Sequence, residues 1–98
     1  MRYITNEEIK SLNISPKQCV DWVRESFSLK YRSQLPPKIS LHPQGEDFIN
    51  TMPCLLPEEY HKFAVKVVSR FEGRKPSLSS RILLQDAKYL NDSKLGGG

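Results

Sequence analysis

One residue is chemically out of place. In Val65-Lys66-Val67-Val68 an ammonium group interrupts an apolar, β-branched run. Burying such a cation without a partner is costly, so three situations fit it: a buried ion pair, a stem that snorkels to solvent, or a charge standing ready for an anion. The other chemistry-bearing residues lack company. His42 and His61 are single histidines in or near strand ends, with no partner at metal-ligand spacing, and read as surface or satisfied core histidines. Cys19 and Cys54 form no CxxC pair, which leads us to expect two buried thiols in a reducing compartment. Nothing matches a nucleophile elbow, an HExxH helix or a P-loop. Glycines cluster only at Gly96-Gly97-Gly98, with no helix after them to bind phosphate.

The elements that must position Lys66 follow from periodicity and punctuation. Thr5 and Glu8 have capping-box spacing, and Ile4, Ile9 and Leu12 can share a face, which predicts a short helix after Thr5. Ser15-Pro16-Lys17-Gln18 is a stronger start signal, combining a cap, a proline suited to the first helical position and a glutamine that reaches back. The helix that follows carries Cys19, Val20, Val23, Phe27 and Tyr31 at helical spacing, with Asp21, Arg24, Glu25 and Lys30 outward. Such a stripe is expected to be core rather than a cofactor box, with Trp22 beside it at a packing interface. Leu35-Pro36-Pro37 ends the helix.

The remainder predicts strands. Residues 38–42 alternate polar with apolar, Pro43-Gln44-Gly45-Glu46 turns the chain, and residues 48–54 form a second strand interrupted by Pro53. Residues 61–71 make the best strand, with Phe63, Val65 and Val67 on one face and Ala64, Lys66, Val68 and Arg70 on the other. Residues 72–76 break it, and residues 81–86 form a fourth strand. The fold class is therefore α+β, helices followed by an antiparallel sheet. A single domain over 1–90 is followed by a loose, polar, glycine-rich tail over 91–98.

Composition narrows the classes. The 98 residues, 38% hydrophobic and 27% charged, suit one ordinary soluble domain with a modest core. Fifteen Lys+Arg against eleven Asp+Glu leave a formal charge of +4 and a pI near 9.2. The basic residues run from Arg2 to Lys94 mixed with acids, which fits a solvated surface, and no RNP, KH or helix-turn-helix signature supports a nucleic-acid partner. No signal-peptide pattern opens the chain and no apolar run approaches about 18 residues, so the expectation is a cytoplasmic protein without a membrane partner.

Four stretches together resemble the N-terminal part of the ornithine cyclodeaminase/mu-crystallin family. They are Leu35-Pro36-Pro37-Lys38, then Thr51-Met52-Pro53, then Val65-Lys66-Val67-Val68-Ser69-Arg70-Phe71, and Arg74-Lys75-Pro76-Ser77 leading into Ile82-Leu83-Leu84-Gln85-Asp86. The match reaches to about Asp86, and its specificity lies in the order and spacing of the set. The resemblance implies the substrate-binding and dimerisation half of an NAD(P)-dependent enzyme that oxidises or reduces the α-carbon of amino or imino acids. It also implies an antiparallel sheet that helps form a homodimer.

Carried over by position, the resemblance assigns substrate binding to Lys66, Lys38, Met52 and Asn50. Lys66 matches the lysine that holds the substrate carboxylate, and Met52 with Pro53 would line the pocket. Lys38 stands where the family usually has an arginine, keeping the charge but losing the bidentate fork. Asn50 stands where ornithine-acting members have an acid for the distal amine, which argues against ornithine itself.

After Asp86 the family continues into a Thr-Gly turn and a dinucleotide-binding domain. Here Ala87-Lys88-Tyr89-Leu90 leads toward the glycines, without a glycine-rich fingerprint or the aspartate used in acid–base work. The expectation is that the chain lacks the nucleotide-binding half, binds no NAD or NADP, and is inactive alone. A free-standing self-association or protein-interaction module is the competing reading.

Overall fold

The computed structural model describes residues 1–90. Two helices, α1 (Asn6–Ser11) and α2 (Pro16–Leu29), precede four strands: β1 (Ile39–Leu41), β2 (Phe48–Leu55), β3 (Lys62–Arg70) and β4 (Leu78–Asp86). Short 3-10 turns lie at Lys30–Arg32 and Glu58–Tyr60. The strands form one antiparallel sheet in the order β1-β2-β3-β4, an α+β arrangement. No helix among the described residues is long and apolar enough to cross a membrane. The expected tail over 91–98 lies outside the described residues.

The capping signals act as their chemistry requires. The Thr5 hydroxyl accepts from the Glu8 amide at 3.2 Å and starts α1. At α2 the box closes in both directions: Gln18 N–H donates to Ser15 Oγ at 3.1 Å, and Ser15 N–H donates to Gln18 Oε1 at 3.2 Å. Two otherwise orphaned amides are satisfied there, and Pro16 at the first turn has none to lose.

Pro53 does not interrupt β2, which runs through it to Leu55. Leu55 N–H donates to Gln34 O at 3.0 Å, on the side of the strand away from β3. Amide direction alternates along a strand, so the Pro53 nitrogen points the same way. It falls in the gap between the isolated Gln34–Leu55 bridge and the last β1 pair, Ile39–Thr51. The missing donor therefore has no ladder partner to disappoint.

The β1–β2 turn places Gly45 at φ +55°, where a Cβ would strain the backbone. Asp47 then ties two loops together at one end of the sheet. Its Oδ1 accepts from the Glu72 amide at 2.9 Å and lies 3.6 Å from Arg70 Nη1. The β3–β4 connection is built around Arg74. Its Nη2 is 3.0 Å from Ser69 O, Ser69 Oγ and Ser77 O, its Nε donates to Pro76 O, and its guanidinium stacks on Phe71. This clasp lets β4 begin at Leu78, three residues earlier than the apolar pattern alone suggests.

Burial differs most from expectation. Among the described residues only Pro57 is buried, and the expected core stripe of α2 is open to solvent. Phe27 is 68% exposed, Trp22 50% and Tyr31 92%. The reason is geometric, because neither helix packs on a face of the sheet. α2 is instead clipped at its C-terminal end by polar contacts. Tyr60 OH donates to Glu25 Oε1 at 3.0 Å, and Arg32 pairs with Glu59. The expected pair of buried thiols is corrected for the same reason: Cys19 is exposed on α2 and Cys54 is half-buried in β2.

Candidate functional site

Register sorts the side chains of the sheet into two faces, since directly opposed residues share a face. Met52, Lys66 and Ile82 form one row across β2, β3 and β4. Asn50, Val68 and Ser80 form the next row on that face, and Cys54, Ala64 and Leu84 the row on the other side. Lys38 immediately precedes β1, outside its ladder. Extending the Ile39–Thr51 register by one residue aligns it with Met52. Three of the four residues singled out from the sequence thus share one sheet face, and the fourth lies in line at its margin.

Lys66 is exposed and makes no salt bridge among the described residues. Of the three situations open to it, the buried ion pair is thereby excluded, while its stem still crosses a row of apolar neighbours. Substituting Lys66→Met is expected to change stability by no more than about 0.5 kcal/mol, as for most exposed positions. Denaturant melts check this directly. A loss of several kcal/mol would reveal a carboxylate partner inside the fold.

Asn50 is half-buried, and its Oδ1 is shielded from water without a hydrogen-bond donor. Such an orphaned acceptor costs about 1–3 kcal/mol. One shallow depression of about 490 Å³ lies beside Lys62, Leu84 and Asp86, which share the face of Lys66, and another of about 270 Å³ lies where Gln34, Pro36 and Pro53 approach Cys54 and Phe63. Met52 is half-buried beside it in the strand, while Lys38 is exposed.

The histidines take separate roles. His42 is exposed just after β1. His61 adopts a left-handed conformation, φ 51°, closing the Glu58–Tyr60 turn, and meets the Tyr89 ring edge-on at 5.8 Å. Left-handed backbone at a histidine is uncommon but tolerated. Sequence patterning had no signal for it.

One ion pair on the same face sets a pH response. The Lys62 ammonium donates to the Asp86 carboxylate and holds its pKa below the ordinary aspartate value, by hydrogen bond first and by charge second. A depressed carboxyl stabilises the fold above its unfolded pKa. That contribution is lost as pH falls from the ordinary aspartate value through the lowered one. The pair is exposed, so the effect is small and screened by salt. Acid unfolding curves are expected to lose this component in Lys62→Met and in high salt, and an unchanged curve in both would remove Asp86 from the response.

No family model, curated protein or solved structure matches the chain.

Proposed function

We propose that the chain supplies the substrate-facing and self-associating layer of an ornithine cyclodeaminase/mu-crystallin-type enzyme. Lys66 is the counter-charge for the carboxylate of a small amino or imino acid. The observation that carries this reading is the row Met52–Lys66–Ile82, with Lys38 in line at the head of β1 and Asn50 one row away. An ammonium without a counter-ion among the described residues, set among Met52, Ile82, Ala64 and Val68, favours an anion arriving on that face. Lys38 adds a second positive centre. Asn50 is neutral and offers no counter-charge to a distal amine, so the favoured ligand carries one carboxylate and no second cation.

Hydride transfer requires a nicotinamide ring held against the substrate carbon. The residues here do not fit that group. The helices precede the strands, so no strand-to-helix turn cradles a pyrophosphate among the described residues, and no G-x-G-x-x-G occurs in the sequence. No step through NAD or NADP is assigned to this chain, and by itself it is expected to show neither activity nor cofactor affinity.

The test is a titration followed by NMR of backbone amides and lysine side chains, with proline, ornithine and NADH as separate probes. Proline is expected to shift the Lys66 and Lys38 resonances more than ornithine does, Lys66→Met to abolish the response, and NADH to leave the spectrum unchanged. A spectrum in which millimolar proline leaves Lys66 unmoved overturns the reading. The free-standing association module is favoured by the open apolar stripe of α2, and it predicts self-association without carboxylate binding.

A further inference from the structure

α2 is held from one side only. Tyr60 OH donates to Glu25 Oε1 at 3.0 Å, and Arg32, just past the helix, pairs with Glu59. Successive helical residues turn by about 100°, so Val23 and Phe27 each stand about 160° from Glu25. The domain therefore grips the polar side of α2 and presents the opposite side outward, with Val20 53%, Val23 55% and Phe27 68% exposed. An open row of carbons gains nothing from water. Charge is sorted by sign around that row. Arg24 and Lys17 border it on one side, about 65° and 85° from its centre, and Lys30 borders the other side at its C-terminal end. None of the three makes a salt bridge among the described residues. The acids of the helix, Asp21 and Glu25, lie more than about 120° away, toward the gripped side. Lysine and arginine at such margins lay their stems along an apolar layer and carry their heads into a polar one. The Lys30 ammonium already sits 6.0 Å from the centre of the Tyr31 ring, itself 92% exposed.

We propose that α2 docks in the plane of an anionic lipid surface. Val20, Val23, Phe27 and Tyr31 enter the boundary between headgroups and acyl chains, and Lys17, Arg24 and Lys30 meet the acidic headgroups. The sign of the margins selects this occupant. Cations on both sides of the row call for a partner that is negative on both sides of an apolar layer. A leaflet containing acidic lipid is such a partner along the whole of a fourteen-residue helix, about 21 Å. That no described helix is long and apolar enough to cross a membrane does not bear on this, because a helix of this kind lies in the interface rather than across it. The surface is separate from Lys66, which stands on β3, so either reading can fail without the other.

The experiment uses the 98-residue chain and large unilamellar vesicles of phosphatidylcholine, pure or with about 30% phosphatidylserine. In flotation the chain is expected to bind the acidic vesicles at least about tenfold more tightly than the neutral ones, and high salt to erase the difference. Replacing Lys17, Arg24 and Lys30 together by Gln is expected to remove the preference for acidic lipid. Phe27→Gln is expected to weaken binding to both vesicles at least about tenfold, while Asp21→Asn, on the side away from the lipid, changes neither. Circular dichroism reports that helix and sheet are kept in each variant. Trp22 is the single tryptophan, so moving it by Trp22→Phe with Phe27→Trp places the fluorophore on the row, where acidic vesicles are expected to shift its emission to the blue. A chain that does not float with acidic vesicles overturns the proposal, and so does equal binding to neutral and acidic lipid. If Phe27→Gln changes sedimentation of the chain and no vesicle binds it, the row is a protein-binding surface and the proposal fails.

Discussion

A hundredfold dilution is expected to lower the free energy of unfolding by about 2.8 kcal/mol per mole of dimer, since each tenfold change in concentration represents about 1.4 kcal/mol. The expectation comes from burial. No hydrophobic side chain among the described residues is fully buried. Hydrophobic burial is the main force opposing chain entropy, so a molecule with so little of it inside one copy is expected to gain stability when its open apolar surface is covered by another copy. Urea melts at two protein concentrations decide the matter. A midpoint that does not move would mean that the monomer is stable by itself, and that the exposed stripe of α2 contributes nothing to the folded state.

Arg74→Ala is the second large effect expected, a loss of about 2–3 kcal/mol at matched protein concentration, in the range for hydrogen bonds to a charged group. The guanidinium holds Ser69 and Ser77 across the base of the β3–β4 connection and covers the Phe71 ring. Removing it frees the ends of the two longest strands at once. Arg74→Lys is expected to recover less than half of the loss. An ammonium on a flexible stem reproduces the charge but not a rigid fork aimed at several oxygens. Urea melts with an unchanged m-value check the size of the effect, and a difference below about 0.5 kcal/mol would place Arg74 among ordinary surface residues.

Much of the backbone was legible because its causes are local. Ser15 and Gln18 specify the start of α2 through bonds to each other's amides, and alternation along residues 63–68 specifies which side of β3 bears Lys66. Pro53 was misread because the tolerance for it lies elsewhere in the chain, in the gap left between Gln34 and Ile39. The early start of β4 was missed because Leu78-Ser79-Ser80 has little strand propensity of its own, and its pairing with Arg70, Ser69 and Val68 depends on the Arg74 clasp.

The apolar stripe of α2 shows the limit most plainly. Helical spacing of Val20, Val23 and Phe27 reports that one face is unlike the others, but not what covers it. The candidate site was legible to the same depth. Register collects Lys66, Met52 and Asn50 on one face, yet no sequence pattern shows how deep that face is.

The prolines around β1 fix how many neighbours the sheet can take. In polymer terms a unit with two reactive ends propagates, whereas a unit with one is monofunctional. Coupling two monofunctional units consumes both ends and leaves nothing to react. With β1 short and bounded by Pro36, Pro37 and Pro43, β4 is the single reactive end. A second copy paired on β4 would therefore leave no further edge to extend, giving a closed product rather than a fibre. The same arithmetic would govern a foreign extended segment: taken onto β4, it would find no second edge from which to continue.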